Sequence, residues 1–158
     1  MQRNGRDSMR TYIIYLIEKQ FANHFYGREH MFYDLFHDYE ETEGEEKRIL
    51  RRQIMCVTKR IPAGLFSSYM DEKITSKQGC FEENGVYYIR KNRNGAVSEA
   101  SLAFRNHSLI LHASGSYESE TIFFEWLRQW NPYFLALDTG EGRCAWLRPI
   151  KQPKFILS

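Results

Sequence analysis

The chain has 158 residues, 42% of them hydrophobic and 15% aromatic, which is enough apolar material for one folded domain without disulfides. Its 22 basic and 20 acidic residues leave a net charge of +2, which argues against strong electrostatic attraction to nucleic acid or to a membrane surface. The three cysteines include no Cys-x-x-Cys pair, so they suit a reducing compartment and indicate no zinc site. No apolar run is long enough to span a bilayer, and the N-terminus has no secretory core. We therefore expect a cytoplasmic protein.

The N-terminal region combines a polar lead with an apolar strand. Residues 1–10 are polar and contain Gly5, and we expect them to be disordered. Residues 11–17 are apolar at odd and even positions alike, as in a central strand that is covered on both faces. No later segment has the composition of a linker, so the sequence predicts a single domain over residues 11–158.

An aromatic segment, residues 21–39, follows this strand directly. If the segment were one helix, one broad apolar side would contain Phe21, Phe25, Phe32, Leu35, Phe36 and Tyr39, with Tyr26 and Tyr33 extending it. Asn23 would lie on the opposite side. A single core contact uses a narrower stripe, so part of this surface could face a partner. Two alternatives stay open, because all the rings could be buried in the core and Gly27 could divide the segment into two helices.

A further helix is predicted over residues 45–61. Apolar residues recur at i, i+4, i+7 and i+11, namely Leu50, Ile54, Val57 and Ile61, and Pro62 ends the run. Gln53 lies beside this apolar seam, where it is either solvated or able to contact whatever packs alongside. Residues 63–80 show no clear pattern, although 65–69 could form a strand.

The second half of the chain has the pattern of antiparallel hairpins. Residues 86–90 and 98–104 read as strands separated by Asn94-Gly95, a dipeptide typical of a tight hairpin turn. The remaining predicted elements are three strands at 108–113, 133–137 and 144–147, and one helix at 116–131 with Ile122, Phe123, Trp126, Leu127 and Trp130 buried. The sequence therefore predicts an α+β fold, a mostly antiparallel sheet with about three helices packed on it.

The polar residues form no recognisable catalytic or metal-binding pattern. His30 and His37 could share one helical face, but two turns separate them by roughly 10 Å, too far for one zinc ion. No Ser or Cys stands in a nucleophile motif, and the segment at Gly140 and Gly142 lacks the strand-to-helix context of a phosphate loop. We therefore expect no catalytic activity, metal or cofactor.

A short basic and aromatic segment suggests an alternative function. Arg90, Lys91 and Arg93 follow Tyr87 and Tyr88 at a predicted hairpin, where they could form a platform for nucleic acid. Charged residues are ordinary at a hairpin tip, however, and exposed Phe, Tyr and Arg side chains are favoured anchors of protein interfaces. Recognition of another protein is therefore the preferred interpretation.

Two long blocks of the sequence resemble one known protein family. The first lies within residues 15–39 and contains the run Phe21-Ala22-Asn23-His24-Phe25-Tyr26-Gly27-Arg28-Glu29. The second lies within residues 113–125 and continues at 134–138 and 146–149, and shorter matches occur at Gln53-Ile54 and Ile61-Pro62. These residues resemble the SirA family, sporulation inhibitors of replication from Bacillus-type bacteria, over nearly the whole chain after residue 10.

The resemblance implies an inhibitor that acts by binding and not by catalysis. SirA-like proteins bind the N-terminal domain (domain I) of the initiator ATPase DnaA and keep it from acting at the replication origin as a cell commits to sporulation. The family's partner-binding positions correspond to Phe21, Phe25 and Gln53 here, and the neighbouring Asn23 and Tyr26 complete the expected site. A Tyr is familiar at the position of Phe25, so this chain lacks one hydroxyl there. The resemblance further implies a monomer in a one-to-one complex, without cofactor or direct contact with DNA or membrane.

Overall fold

Residues 9–105 and 107–148 are described by a computed structural model. In chain order they form β1 (Arg10–Leu16), α1 (Lys19–His24), α2 (Glu29–Glu41), α3 (Glu45–Val57), α4 (Ala63–Thr75), β2 (Cys80–Glu83), β3 (Val86–Arg93), β4 (Ala96–Arg105), β5 (Ser108–Gly115), α5 (Glu118–Trp130), β6 (Phe134–Asp138) and β7 (Arg143–Trp146). The predicted α+β class is confirmed, but these residues contain five helices where about three were predicted. None of the five combines the length and the apolar character that crossing a membrane requires. Most of the predicted disordered lead, residues 1–8, lies outside the described residues.

All seven strands belong to one antiparallel sheet, in the order β2-β3-β4-β5-β1-β6-β7. Strand β1 lies inside the sheet, where it pairs with β5 on one side and with β6 on the other. Ile13 and Tyr15 are buried against one layer of helices, and Ile14 and Leu16 against the other. This confirms the predicted central strand with two covered faces, and β1 begins one residue earlier than predicted, at Arg10.

Helices α4 and α5 cover one face of the sheet. The core on this side includes the apolar side chains of α5 that the sequence predicted to be buried, such as Ile122 and Phe123. Helix α4 corrects the prediction for residues 63–80, because 65–69 are helical and not a strand. Its buried residues recur every four positions, at Phe66, Met70 and Ile74. The exposed Leu65 beside Phe66 conceals this spacing in the sequence.

Helices α1, α2 and α3 cover the opposite face. Phe32 and Phe36 of α2 and Ile54 of α3 are buried there, and the Phe36 ring stacks on Tyr15 with the centroids 4.1 Å apart. Helix α3 ends at Val57 and not at residue 61 as predicted. It stops there because the next residues bond to the end of β1: Ile17 and Thr58 form a β-bridge, and the Lys59 N–H donates to the Leu16 carbonyl at 2.6 Å.

The aromatic segment forms two helices, and Gly27 lies between them. Its φ of +80° is in the left-handed region, which glycine adopts without steric cost, so the chain turns there and α2 begins at Glu29. Of the alternatives left open by the sequence, the divided segment is the one observed. The rings also differ in burial, because Phe32 and Phe36 lie in the core whereas Phe21 and Phe25 are only partly buried.

The hairpin turns follow from local sequence. Asn94 and Gly95 both have positive φ, as a two-residue turn of the predicted type requires, and they join β3 to β4. Asn84 and Gly85 have the same geometry and join β2 to β3. The strands predicted at 133–137 and 144–147 are also observed, as β6 and β7, within one residue of the predicted bounds.

Candidate functional site

Two phenylalanine rings form the centre of the candidate site. Phe21 of α1 and Phe25 at its C-terminal cap lie with their rings nearly parallel, at an interplanar angle of 10° and a centroid separation of 6.4 Å. Phe25 also meets the buried Phe32 edge-on, with the centroids 5.4 Å apart. Each of the two rings is therefore packed on the protein on one side and accessible to solvent on the other.

Short-range bonding explains why these two rings adjoin. Residues four apart lie on the same side of a helix, and the Phe25 N–H donates to the Phe21 carbonyl at 3.0 Å. The Phe21 N–H in turn donates to the Glu18 carbonyl, which starts the helix directly after β1. Ala22, fully buried, faces the sheet. The four-residue spacing of Phe21 and Phe25 therefore places both rings on one side of α1, next to the face that Ala22 buries.

Backbone hydrogen bonds hold α1 against the end of α3. The Glu18 N–H donates to the Val57 carbonyl at 3.0 Å, beside the bridge between Ile17 and Thr58. Gln53 lies one helical turn before Val57 and its side chain is exposed. This hydrogen bond therefore joins the start of α1 to the last residue of α3, one helical turn after Gln53. Gln53 is one of the residues for which the sequence predicted a role in partner binding.

The two other predicted site residues occupy different positions. Asn23 is exposed, but two residues correspond to about 200° around a helix, so it lies on the other flank of α1 from Phe21. Tyr26 lies in the turn before Gly27 with 36% of its surface exposed. Phe21 and Phe25 are thus the adjacent pair among the predicted site residues, and Asn23, Tyr26 and Gln53 are exposed at separate positions.

The site offers contact surface and no reactive group. Two rings and one amide can supply apolar contact and hydrogen bonds, as protein interfaces use them. Within residues 9–105 and 107–148, no three His, Cys, Asp or Glu side chains are grouped as a metal site would need. His37, considered above with His30, instead stacks on Tyr33, and its Nδ1 lies 3.2 Å from the Tyr33 hydroxyl.

The structure also defines the surroundings of the basic hairpin that was considered as a nucleic-acid platform. Tyr87 is buried in the core, and Tyr88 stacks on Phe81 with the ring centroids 4.9 Å apart. Each basic side chain of the segment has a partner: Arg90 lies 3.2 Å from Glu99, Lys91 donates to the Gln78 carbonyl at 2.7 Å, and Arg93 lies 2.6 Å from Glu118. The hairpin therefore presents the stacked rings of Tyr88 and Phe81 but not Tyr87, and each of its three basic side chains has a partner within the described part of the chain.

Comparison with known families identifies the family of this chain. The sequence profile of the family described as "Sporulation inhibitor of replication protein SirA" matches residues 10–151. The match includes every element of the fold and every residue of the candidate site. The chain belongs to the SirA family, and the resemblance seen in the sequence blocks is confirmed.

A characterised relative extends the comparison to full length. The sporulation inhibitor of replication protein SirA of Bacillus subtilis (strain 168) is 36% identical over 150 residues. The alignment covers 93% of this chain and 99% of that protein. The alignment therefore spans most of this chain and nearly all of the relative.

Proposed function

We propose that this chain inhibits the initiation of DNA replication during sporulation by binding the N-terminal domain (domain I) of the initiator DnaA. The name of the Bacillus subtilis relative supports the process, and the resemblance of Phe21, Phe25 and Gln53 to the family's partner-binding positions supports the partner. The observation that carries the proposal is the partly exposed, nearly parallel pair of rings at Phe21 and Phe25.

The aromatic pair has the properties of an interface anchor. A standard protein interface buries roughly 1,200–2,000 Å², and a few central aromatic side chains supply most of its binding free energy. Phe25 rests on the buried Phe32, so its ring is already oriented before a partner arrives. Less side-chain entropy is then lost on binding than with a mobile ring. We expect truncation of either ring to weaken binding by about 2 kcal/mol or more.

Gln53 supplies a polar contact beside the rings. Its amide carries both a donor and an acceptor, so it can pair with a backbone or side-chain group of the partner and set the orientation of the complex. A hydrogen bond of this kind contributes roughly 0.5–1.5 kcal/mol. Because Gln53 is exposed, its replacement acts on binding and leaves the free energy of unfolding nearly unchanged.

The inhibitory mechanism follows from occupancy of a surface. A monomer bound one-to-one on the small N-terminal domain of DnaA excludes whatever else must contact that surface at the origin. No covalent step, cofactor or DNA contact by the inhibitor is needed for this effect. The scaffold of sheet and helices serves to present α1 and α3 together.

Titration calorimetry with the isolated N-terminal domain of the host DnaA tests the proposal. Wild type, Phe21→Ala and Gln53→Ala are compared, with Phe81→Ala as the matched control, since Phe81 is an exposed ring on the edge strand β2. Circular dichroism establishes that each variant is folded. We expect saturable binding by the wild type and the control, and weakened binding by the two site variants.

The possible failures of this experiment are distinguishable. Wild type that does not bind at micromolar concentration would exclude this partner. Phe21→Ala and Gln53→Ala variants that bind like wild type would leave the partner intact and move the site elsewhere on the surface.

A further inference from the structure

A groove lies on the side of α3 that faces away from the candidate site. It has a volume of about 380 Å³ and runs between Met55 of α3, Ala63 at the start of α4, and Phe104 and His107 at the ends of β4 and β5. A smaller hollow adjoins it, shares Met55 and His107, and reaches Arg105. Together they form one continuous depression, hereafter the α3–α4 groove.

The α3–α4 groove and the candidate site use different faces of the same helix. Residues 53 and 55 are about 200° apart around an α-helix, so Gln53 and Met55 point to nearly opposite sides of α3. Both side chains are exposed, which leaves Ile54 between them to face the core. A molecule in the groove therefore does not compete with one bound on Phe21, Phe25 and Gln53.

Positive charge gathers at the rim of the groove. Arg51 and Arg60 are exposed, and in the described part of the chain neither lies within 4 Å of a carboxylate. Arg51, Arg60 and His107 line the same groove, and burial, followed by the positive charges of the two arginines, lowers the pKa of His107. The N-terminus of helix α4 adds the positive end of the helix dipole. Its first turn from Ala63 contains no acidic residue that would offset this positive end.

The floor of the groove is apolar. Met55 is 45% exposed and Phe104 is 37% exposed, and both lie above the buried Ile61. Phe104 is held from beneath by Phe66, which it meets edge-on with the ring centroids 5.4 Å apart. A flexible thioether beside a fixed ring suits a bulky apolar side chain of a ligand. Among the described residues no acidic side chain lines either part of the depression, although Glu40 pairs with Arg105, which the smaller hollow reaches.

We propose that the α3–α4 groove binds an acidic protein segment that carries a bulky aliphatic or aromatic side chain, on a partner other than the one held at Phe21 and Phe25. The carboxylates of such a segment pair with Arg51 and Arg60, and its apolar side chain covers Met55 and Phe104. A nucleic-acid backbone would satisfy the two arginines but has no apolar group for the floor. Charge and apolar surface together therefore favour the acidic segment.

Fluorescence anisotropy with short labelled peptides tests this site on the full-length protein. The probe peptides alternate Glu with Leu and Phe in helical and in extended spacing. Two comparison probes are an all-Glu peptide of equal length and a short DNA duplex. There are two test variants: the double substitution Arg51→Glu/Arg60→Glu and the single substitution Met55→Asp. The matched charge control is Arg143→Glu with Arg148→Glu, at the far edge of the sheet near β7.

The expected result is saturable binding of at least one Glu/Leu/Phe peptide. We expect the affinity to fall about tenfold or more in each groove variant and less than about threefold in the charge control, because paired charges act at short range. The all-Glu peptide should bind more weakly, since it leaves the floor uncovered. Three results would each overturn the proposal: no saturable binding of any apolar-acidic peptide, equal loss in the charge control, or tighter binding of the DNA duplex that the groove variants abolish.

Discussion

Arg10 and Glu120 form a buried ion pair between the first residue of β1 and the first turn of α5. The Arg10 Nε donates to Glu120 Oε1 at 2.9 Å, and only 2% of the Glu120 side chain is exposed. The hydroxyl of Tyr12 donates to the same carboxylate, and Arg10 lies over the Tyr117 ring, 4.2 Å from its centroid. The pair joins the central strand to the helix that covers it, although 110 positions separate the two residues.

We expect Glu120→Gln to lower the free energy of unfolding by about 3 kcal/mol, because the amide leaves the Arg10 charge uncompensated and replaces one of the two acceptor oxygens by an NH₂ donor. Urea unfolding followed by circular dichroism measures the change. Glu118→Gln on the same helix is the control, since its partner Arg93 is largely exposed and such pairs contribute at most about 1 kcal/mol. Equal effects of the two substitutions would show that the buried pair has no special role in stability.

Phe25→Tyr tests whether the site accepts an added hydroxyl. The ring of Phe25 is partly exposed, and the resemblance to the family implies a Tyr at this position, so under the proposed function the hydroxyl should reach an acceptor on the partner without a change in packing on Phe32. We expect affinity for the N-terminal domain of DnaA to rise by roughly 0.5–1.5 kcal/mol, measured by titration calorimetry. Phe21→Tyr, on the neighbouring ring, is the control and should give no such gain. An unchanged affinity for Phe25→Tyr would place this ring outside the polar part of the interface.

Gly27→Ala tests the turn that divides the aromatic segment. An added Cβ at this glycine would meet no atom within 4 Å, so the cost comes from the backbone conformation alone. We expect a loss of about 1 kcal/mol in the free energy of unfolding, because φ of +80° is unfavourable for alanine. Gly64→Ala in α4 also has open space around its Cβ but has no positive φ, and should be neutral or stabilising by about 0.5–1 kcal/mol. A destabilised Gly64→Ala beside an unaffected Gly27→Ala would reverse this interpretation.

We expect the stability of the protein to decline at mildly acidic pH because of His107. Burial, reinforced by Arg51 and Arg60, lowers the pKa of His107 below its ordinary value of 6.5. The folded state therefore disfavours protonation, and the contribution of His107 is fully present above pH 6.5 and is lost as pH falls through the folded-state pKa. His107→Gln can keep the hydrogen bond to the Thr58 hydroxyl, 2.8 Å away in the wild type, and should reduce this decline in unfolding experiments between pH 7 and 5. The same change at the exposed His112 serves as the comparison, and an equal reduction there would show that His107 is not the cause.

Local sequence patterns account for much of the fold. The doubly apolar β1, the Asn94-Gly95 turn and the apolar face of α5 each follow from residues close together in the chain, because strand and helix periods and turn chemistry are local properties. The residue pattern showed an excess of aromatic side chains in this segment, whereas the choice of Phe21 and Phe25 among them came from the resemblance to the SirA family. Helix α4 was predictable in principle from the spacing of Phe66, Met70 and Ile74. The exposed apolar side chain of Leu65 hides this spacing in the sequence.

Only the tertiary structure decided which distant residues meet. The helices cover one face of β3, and this decides that Tyr87 is buried whereas Tyr88 stacks near the surface. The way α5 crosses β1 also decides that Arg10 pairs with Glu120. The neighbourhood of Gln53 likewise depends on the bond between Glu18 and Val57, which unites α1 with the end of α3. Periodicity tells which side of an element is apolar, but it carries no information on the element packed against that side. The sequence by itself therefore determined most of the strands and the helices with a clear apolar face, and long-range packing decided how these elements lie against one another.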